Sequence, residues 1–130
     1  MYEIIFYYDE KGKSEVYEYI ESLEKQRNNK DCKIKLEKIS AYIDWLSQNG
    51  LSIGEPYIKY LKNGIWELRP LRDRILFAYY DNNKFILLTC FMKQTQKTPR
   101  KEIERAKKLL KDYKKRGEKH EWKIFNLGRS

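Results

Sequence analysis

A change of hydrophobic period near the middle of this chain constrains its fold more than any other feature. Up to Asn49 the apolar residues recur at helical steps, and after Pro56 they fall into short runs rich in β-branched and aromatic residues. Cys32, Leu36, Ile39, Ile43 and Leu46 alternate steps of four and three, which predicts an amphipathic helix ending at Asn49 and Gly50 with a left-handed cap. Before it, Val16, Ile20 and Leu23 share one face of a shorter helix, capped by Ser14 and with Glu15 and Glu18 at its positive end. The polar run from Gln26 to Asp31 separates the two helices, which are expected to form a hairpin.

Four strands are expected beyond Pro56: Ile58 to Leu61, Ile65 to Arg69, Arg74 to Tyr80 and Lys84 to Met92. Asn63 and Gly64 mark a tight hairpin turn, Pro70 to Asp73 a looser connection, and Asp81 to Asn83 another turn. A further strand, Tyr2 to Tyr8, opens the chain and ends in the turn-prone Asp9 to Gly12. Near the other end Thr98 and Pro99 read as N-cap and first-turn proline of a third helix, with Ile103, Ala106, Leu110 and Tyr113 on its apolar face and Gly117 as its stop. The order predicts an α+β domain, an antiparallel-rich twisted sheet with an N-terminal helical hairpin and a C-terminal helix, the helices covering one face. One domain over residues 1–117 suits a chain of 130 residues. Glu118 to Ser130 forms a tail with Trp122 and Phe125 but no clear period, so its order is left open.

The formal charge is +9, and it is unevenly spread. From Lys93 to Lys119 there are 12 Lys and Arg against 4 Asp and Glu, a net of +8. Such a patch concentrates polyanions around the protein, although a solvated lysine-rich helix face is the plain alternative. Met1 to Tyr8 is apolar but interrupted by Glu3 and followed by Asp9 and Glu10, which suits neither a signal nor a transit peptide, and no apolar run reaches the ~20 residues of a membrane helix. The cytoplasm is the expected compartment. Cys32 and Cys90 lie far apart with no ligand-spaced neighbour, so they read as small, partly buried thiols, and no metal site is expected.

Three segments carry a family resemblance: Trp66-Glu67-Leu68-Arg69-Pro70, then Arg72 with Arg74-Ile75-Leu76-Phe77-Ala78-Tyr79, then Phe91-Met92-Lys93-Gln94-Thr95-Gln96-Lys97-Thr98-Pro99. Together they resemble the HigB-like, phage-related branch of the RelE/ParE toxin superfamily, over roughly residues 2 to 116. The resemblance implies a RelE-like fold and a ribosome-dependent mRNA endonuclease. It also implies a cognate helix-turn-helix antitoxin of HigA-like type as partner, beside the ribosome and mRNA. A sister branch with a similar fold acts on DNA gyrase, so a non-nucleolytic toxin or binding protein is the alternative reading. The antitoxin is expected to dock on apolar surface of the first hairpin, Val16 to Leu46.

The residues themselves support a compatible chemistry. Alternation in the strand Ile65 to Arg69 places Glu67 and Arg69 on one face and Trp66 and Leu68 on the other. With Arg74 opening the next strand and Lys93 closing the last, three cations are expected to converge on one cavity, with Arg69, Arg74 and Lys93 as catalytic residues. Attack by a 2′-hydroxyl builds charge on a phosphorane, which positioned guanidinium and ammonium groups stabilise without a metal or other cofactor. The base is either Lys93, made less basic by neighbouring cations, or Glu67 as a carboxylate. Arg72, Tyr79, Gln94, Lys97, Lys107, Lys108 and Lys111 complete the expected substrate contacts, with Glu67 orienting Arg69. Pairing of Arg69 and Arg74 with Glu67 and Asp73 across strands is the structural alternative. Phe77 suits the core better than base stacking, while Tyr79 suits either role. His120, the one histidine, lies outside the matched region, which excludes a two-histidine ribonuclease mechanism.

Overall fold

The computed structural model describes residues 1–116. The expectations for Gly117, His120, Trp122, Phe125 and the tail from Glu118 to Ser130 lie outside the described residues. The elements run β1 (Glu3–Phe6), α1 (Glu15–Lys25), α2 (Lys30–Asn49), a 3-10 turn (Gly50–Ile53), β2 (Ile58–Lys62), β3 (Ile65–Leu68), β4 (Asp73–Tyr80), β5 (Lys84–Met92) and α3 (Arg100–Arg116). The α+β class and the order of elements agree with the periodicity, and boundaries move by only one or two residues, as in β1, which ends two residues early.

The five strands form one sheet in the order β1-β5-β4-β3-β2. Three antiparallel pairs follow from short turns, while β1 lies parallel to β5 in register Ile4 with Phe85 and Ile5 with Ile86. A parallel neighbour requires a long crossover. Here the whole stretch from α1 to β4 intervenes.

Helices cover both faces of this sheet, not one as the element order suggested. On one face, Val16, Ile20 and Leu23 of α1 and Leu36, Ile39, Ile43 and Leu46 of α2 pack with Ile4, Phe6, Ile75, Phe77, Phe85 and Leu87. On the other, Ile103, Ala106, Leu110 and Tyr113 of α3 pack with Ile5, Ile65, Leu76, Ala78, Ile86 and Leu88. The central strands therefore bury both faces, which explains why β4 and β5 are nearly continuous apolar runs. Ile39, Ile43 and Leu46 are fully buried, and each such side chain contributes roughly 1.5–3 kcal/mol. The apolar stripe of the hairpin is thus taken up by the core, and the apolar surface that the hairpin leaves open is at Ile34 and Trp45 of α2.

Local signals account for the helix ends. The Ser14 side chain accepts from the Tyr17 N–H, the Asn29 side chain caps α2 at Cys32, and Gly50 ends α2 at φ 64°. A Cβ on Gly50 would stand 2.7 Å from the Tyr2 ring, so both conformation and space require glycine there. At α3 the expected capping shifts by one position: the Pro99 carbonyl accepts the first helical bonds from Glu102 and Ile103. The Thr98 hydroxyl is thereby released for a tertiary bond described below.

Two part-buried polar clasps fasten helices to the sheet. Tyr19 of α1 donates to Asp73 at 2.8 Å, and Tyr7 donates to Asp112 of α3 at 2.6 Å. Burial above all pushes the Tyr7 and Tyr8 hydroxyls and the Cys90 thiol up to about 12, with Asp112 reinforcing Tyr7, Tyr17 reinforcing Tyr8 and Glu15 reinforcing Cys90. The folded chain holds these protons more tightly than the unfolded chain, so their ionisation favours unfolding as pH rises from about 9 to about 12. The urea midpoint should therefore fall between about pH 8 and about pH 11. A midpoint that rises over that interval would contradict these environments.

Candidate nucleic-acid cleft

A cleft of about 450 Å³ opens between the β2–β3 hairpin and the loop leading into α3, with Lys59, Lys62, Glu67, Arg69, Lys97 and Arg100 among its lining. Glu67 anchors it. Its side chain is on the α3 side of β3 and only 2% of the residue is exposed. One carboxylate oxygen stands 3.5 Å from Arg69 Nε and 4.0 Å from Arg74 Nε, while the other accepts the Thr98 hydroxyl. A buried carboxylate held by two guanidinium groups and a hydroxyl fixes the position of everything bound to it.

The two arginines differ in what they can do. Arg69 lines the cleft, with its side chain 22% exposed. Its Nε is buried without a hydrogen-bond partner and is satisfied only by the charge of Glu67. Arg74 is 6% exposed and donates through Nη1 to the Leu71 and Asp73 carbonyls, each at 2.8 Å. Burial lowers the affinity of its guanidinium for the proton, against the opposing pull of Glu67. Arg74 is not part of the cleft lining, so the expected placement on the solvent side of the sheet is corrected: two packed layers leave no such side at β4.

The other expected site residues divide in the same way. Lys97 lines the cleft. Lys93, half-buried at the end of β5, lies outside the lining; its N–H donates to the Arg72 carbonyl, and Arg72 Nη2 returns a bond of 3.0 Å to the Lys93 carbonyl. Arg69 and Arg74 thus meet at one oxygen of Glu67, while Arg74 and Lys93 are not among the residues that line this cleft. Gln94 is exposed and outside the lining, where Gln96 stands instead. Tyr79 sits with Tyr2 and Phe85 on the sheet face opposite Glu67, because Phe77 and Tyr79 alternate with Leu76 and Ala78. Phe77 is fully buried in the core. On α3, Lys107 pairs with Glu104 at 3.6 Å, Lys108 lines a shallow basic hollow with Arg100, Lys101 and Arg105, and Lys111 is exposed.

Three cations that the sequence does not single out belong to the cleft: Lys59, Lys62 and Arg100. Lys59 stands opposite Glu67 because the β2–β3 register slips between Tyr60 and Lys62. An unbroken hairpin around Asn63 and Gly64 would have set Tyr60 there instead. No group of three or more His, Cys, Asp or Glu side chains placed to hold a metal occurs among the described residues. No helix of the described residues is long and apolar enough to cross a membrane.

With this geometry in view, comparison with known proteins gives three findings. A family model described as "Phage derived protein Gp49-like (DUF891)" matches residues 18–111. A solved structure described as the YoeB-YefM complex from Staphylococcus aureus superposes with a TM-score of 0.49 at 20% identity, covering 72% of this chain and 99% of that one. No curated protein matches the chain.

Proposed function

This chain belongs to the phage-derived Gp49-like family, and from that premise we propose that it is the toxin of a toxin–antitoxin pair, a cytoplasmic endoribonuclease that cuts mRNA on the ribosome. The observation that carries the reading is the cleft: five cationic side chains, Lys59, Lys62, Arg69, Lys97 and Arg100, surround one buried carboxylate that holds Arg69 in place. The likeness of the Trp66 to Pro99 segments to the HigB-like toxins supports the same function.

The chemistry follows from charge. When a ribose 2′-hydroxyl attacks the adjacent phosphate, negative charge grows on the nonbridging oxygens, and preorganised cations stabilise it more than they stabilise the ground state. Arg69 offers its planar fork to those oxygens, and Lys97 and Arg100 line the same cleft. Glu67 serves as the anchor of Arg69, since its oxygens are engaged by Thr98 and the arginines and almost none of its surface is open. This assignment replaces Glu67 as base.

Incubation of the purified chain with translating ribosomes, followed by mapping of mRNA 5′ ends, tests the reading. Cuts positioned by the reading frame are expected, and intact mRNA at every concentration would overturn it. A supercoiling assay run beside it detects action on gyrase, which would transfer the cleft to another target. Replacing Lys107, Lys108 and Lys111 together with Ala should weaken ribosome binding. It should also flatten its salt dependence, by up to ~0.7–0.9 in the log–log slope for each phosphate that the variant no longer neutralises. An unchanged slope would remove α3 from the interface.

A further inference from the structure

An aromatic residue lines the cationic cleft. Tyr60 of β2 stands between Lys59 and Lys62 along the chain, belongs to the same lining, and is 49% exposed. We propose that Tyr60 is a stacking platform that seats an unpaired nucleobase while the adjoining phosphates lie against Lys59, Lys62 and Arg69. The inference rests on the RNA-cutting reading, and adds to it that the bound strand is unpaired where it crosses β2.

The ring is fixed before any ligand arrives. Its hydroxyl accepts the Gly64 N–H at 3.0 Å, and the ring packs edge-to-face on Trp66 with centroids 5.0 Å apart. Asn63 and Gly64, at φ 55° and 81°, form the turn that brings this N–H back to the ring. A half-open ring held at two points has little freedom left to lose on binding.

The placement of ring and charge matches a nucleotide. Tyr60 pairs with Trp66 while Lys59 pairs with Glu67, so ring and amine leave opposite sides of the strand. β2 ends the sheet order, so among the described residues no strand bars a ligand from passing round its outer edge. A nucleotide carries its charged phosphate on one side of the sugar and its apolar, π-faced base on the other. RNA lying across that edge therefore sets phosphate against amine and base against ring, the combination by which single strands are held without regard to sequence. A duplex keeps its bases stacked on one another and offers none to the ring. Tyr57 begins the aromatic, apolar, cation order that Tyr60 repeats. Its ring, however, packs with Tyr42 and Trp45 at 5.4 and 5.5 Å and does not line the cleft, so the platform is Tyr60.

The test uses the full chain and a fluorescent RNA of about twelve nucleotides carrying 2′-O-methyl groups throughout, which blocks cleavage and isolates binding. Titrations at one salt concentration compare it with its duplex and with an abasic strand of equal length, which keeps the charge and loses every ring. Tyr60→Leu is expected to weaken binding of the single strand about tenfold and to change binding of the abasic strand by less than about twofold. Tyr60→Phe keeps the ring but gives up the tie to Gly64, and should retain most of the affinity. A residue that only staples the hairpin would give the reverse: Phe and Leu would weaken binding alike, and the abasic strand would suffer equally. Either of those results, duplex binding as tight as single-strand binding, or self-association of the chain through Tyr60 would overturn the inference. The unaltered chain decides the matter even if Tyr60→Leu fails to fold, because it should favour the single strand over the abasic strand about tenfold. A chain that stacks RNA on Tyr60 but leaves mRNA intact on ribosomes would refute the endonuclease reading alone. A chain that cuts mRNA while Tyr60→Leu binds the single strand unchanged would refute the platform alone.

Discussion

Arg69→Ala is expected to lower ribosome-dependent mRNA cleavage about a hundredfold while leaving the fold intact, in line with the ~3 kcal/mol carried by one preorganised donor. Arg69 lines the cleft and keeps 22% of its side chain exposed, so its loss removes little packing. Glu67 would retain Arg74 at 4.0 Å and the Thr98 hydroxyl, so its charge remains compensated. Arg69→Lys should restore only part of the rate, because an ammonium offers one point of charge where the guanidinium offers two aligned donors. Cleavage rates set beside thermal unfolding curves check this. An unfolded Arg69→Ala chain, or one that cuts at the original rate, would mean that Arg69 is a structural pair of Glu67 and nothing more.

Glu67→Ala is expected to have the largest effect on stability, about 3–5 kcal/mol, the usual cost of stripping a buried ion pair of one member. Arg74, 6% exposed, would be left without its carboxylate and with only two carbonyl bonds. The cost comes mainly from that stranded charge, so adding Arg74→Met to Glu67→Ala should recover a large part of the loss. Urea titrations of the two single variants and the double variant measure the coupling directly. Additive losses would show that Glu67 and Arg74 act separately and that no stranded charge accounts for the cost.

Between these two residues lies the division between what local sequence decides and what it leaves to the assembled fold. Period decided the elements. The four-three spacing from Cys32 to Leu46, the Ser14 cap and the Asn63-Gly64 turn are short-range signals, and each appears in the structure where the sequence places it. The pairing of Glu67 with Arg69 also follows from alternation within one strand, since residues two apart share a face. The family resemblance likewise rested on contiguous segments, Trp66 to Pro70, Arg72 to Tyr79 and Phe91 to Pro99.

Everything that depends on where elements meet was decided by tertiary structure. Amphipathic stripes state that a helix has a buried side, but not which face of a sheet it covers, and α3 took the face opposite α1 and α2. That choice buried Arg74 and sent Tyr79 to the wrong side for the cleft. A slip of one residue between Tyr60 and Lys62 brought Lys59 opposite Glu67, and no local propensity marks such a bulge. Thr98 had the composition of a helix cap, yet the shift of α3 to Arg100 made it a ligand of Glu67. The sequence by itself determined the elements and the charge available to a site, because both are set within a few residues along the chain. Which charges share a cleft depended on register and layer order, which are settled only when distant segments compete for the same buried surface.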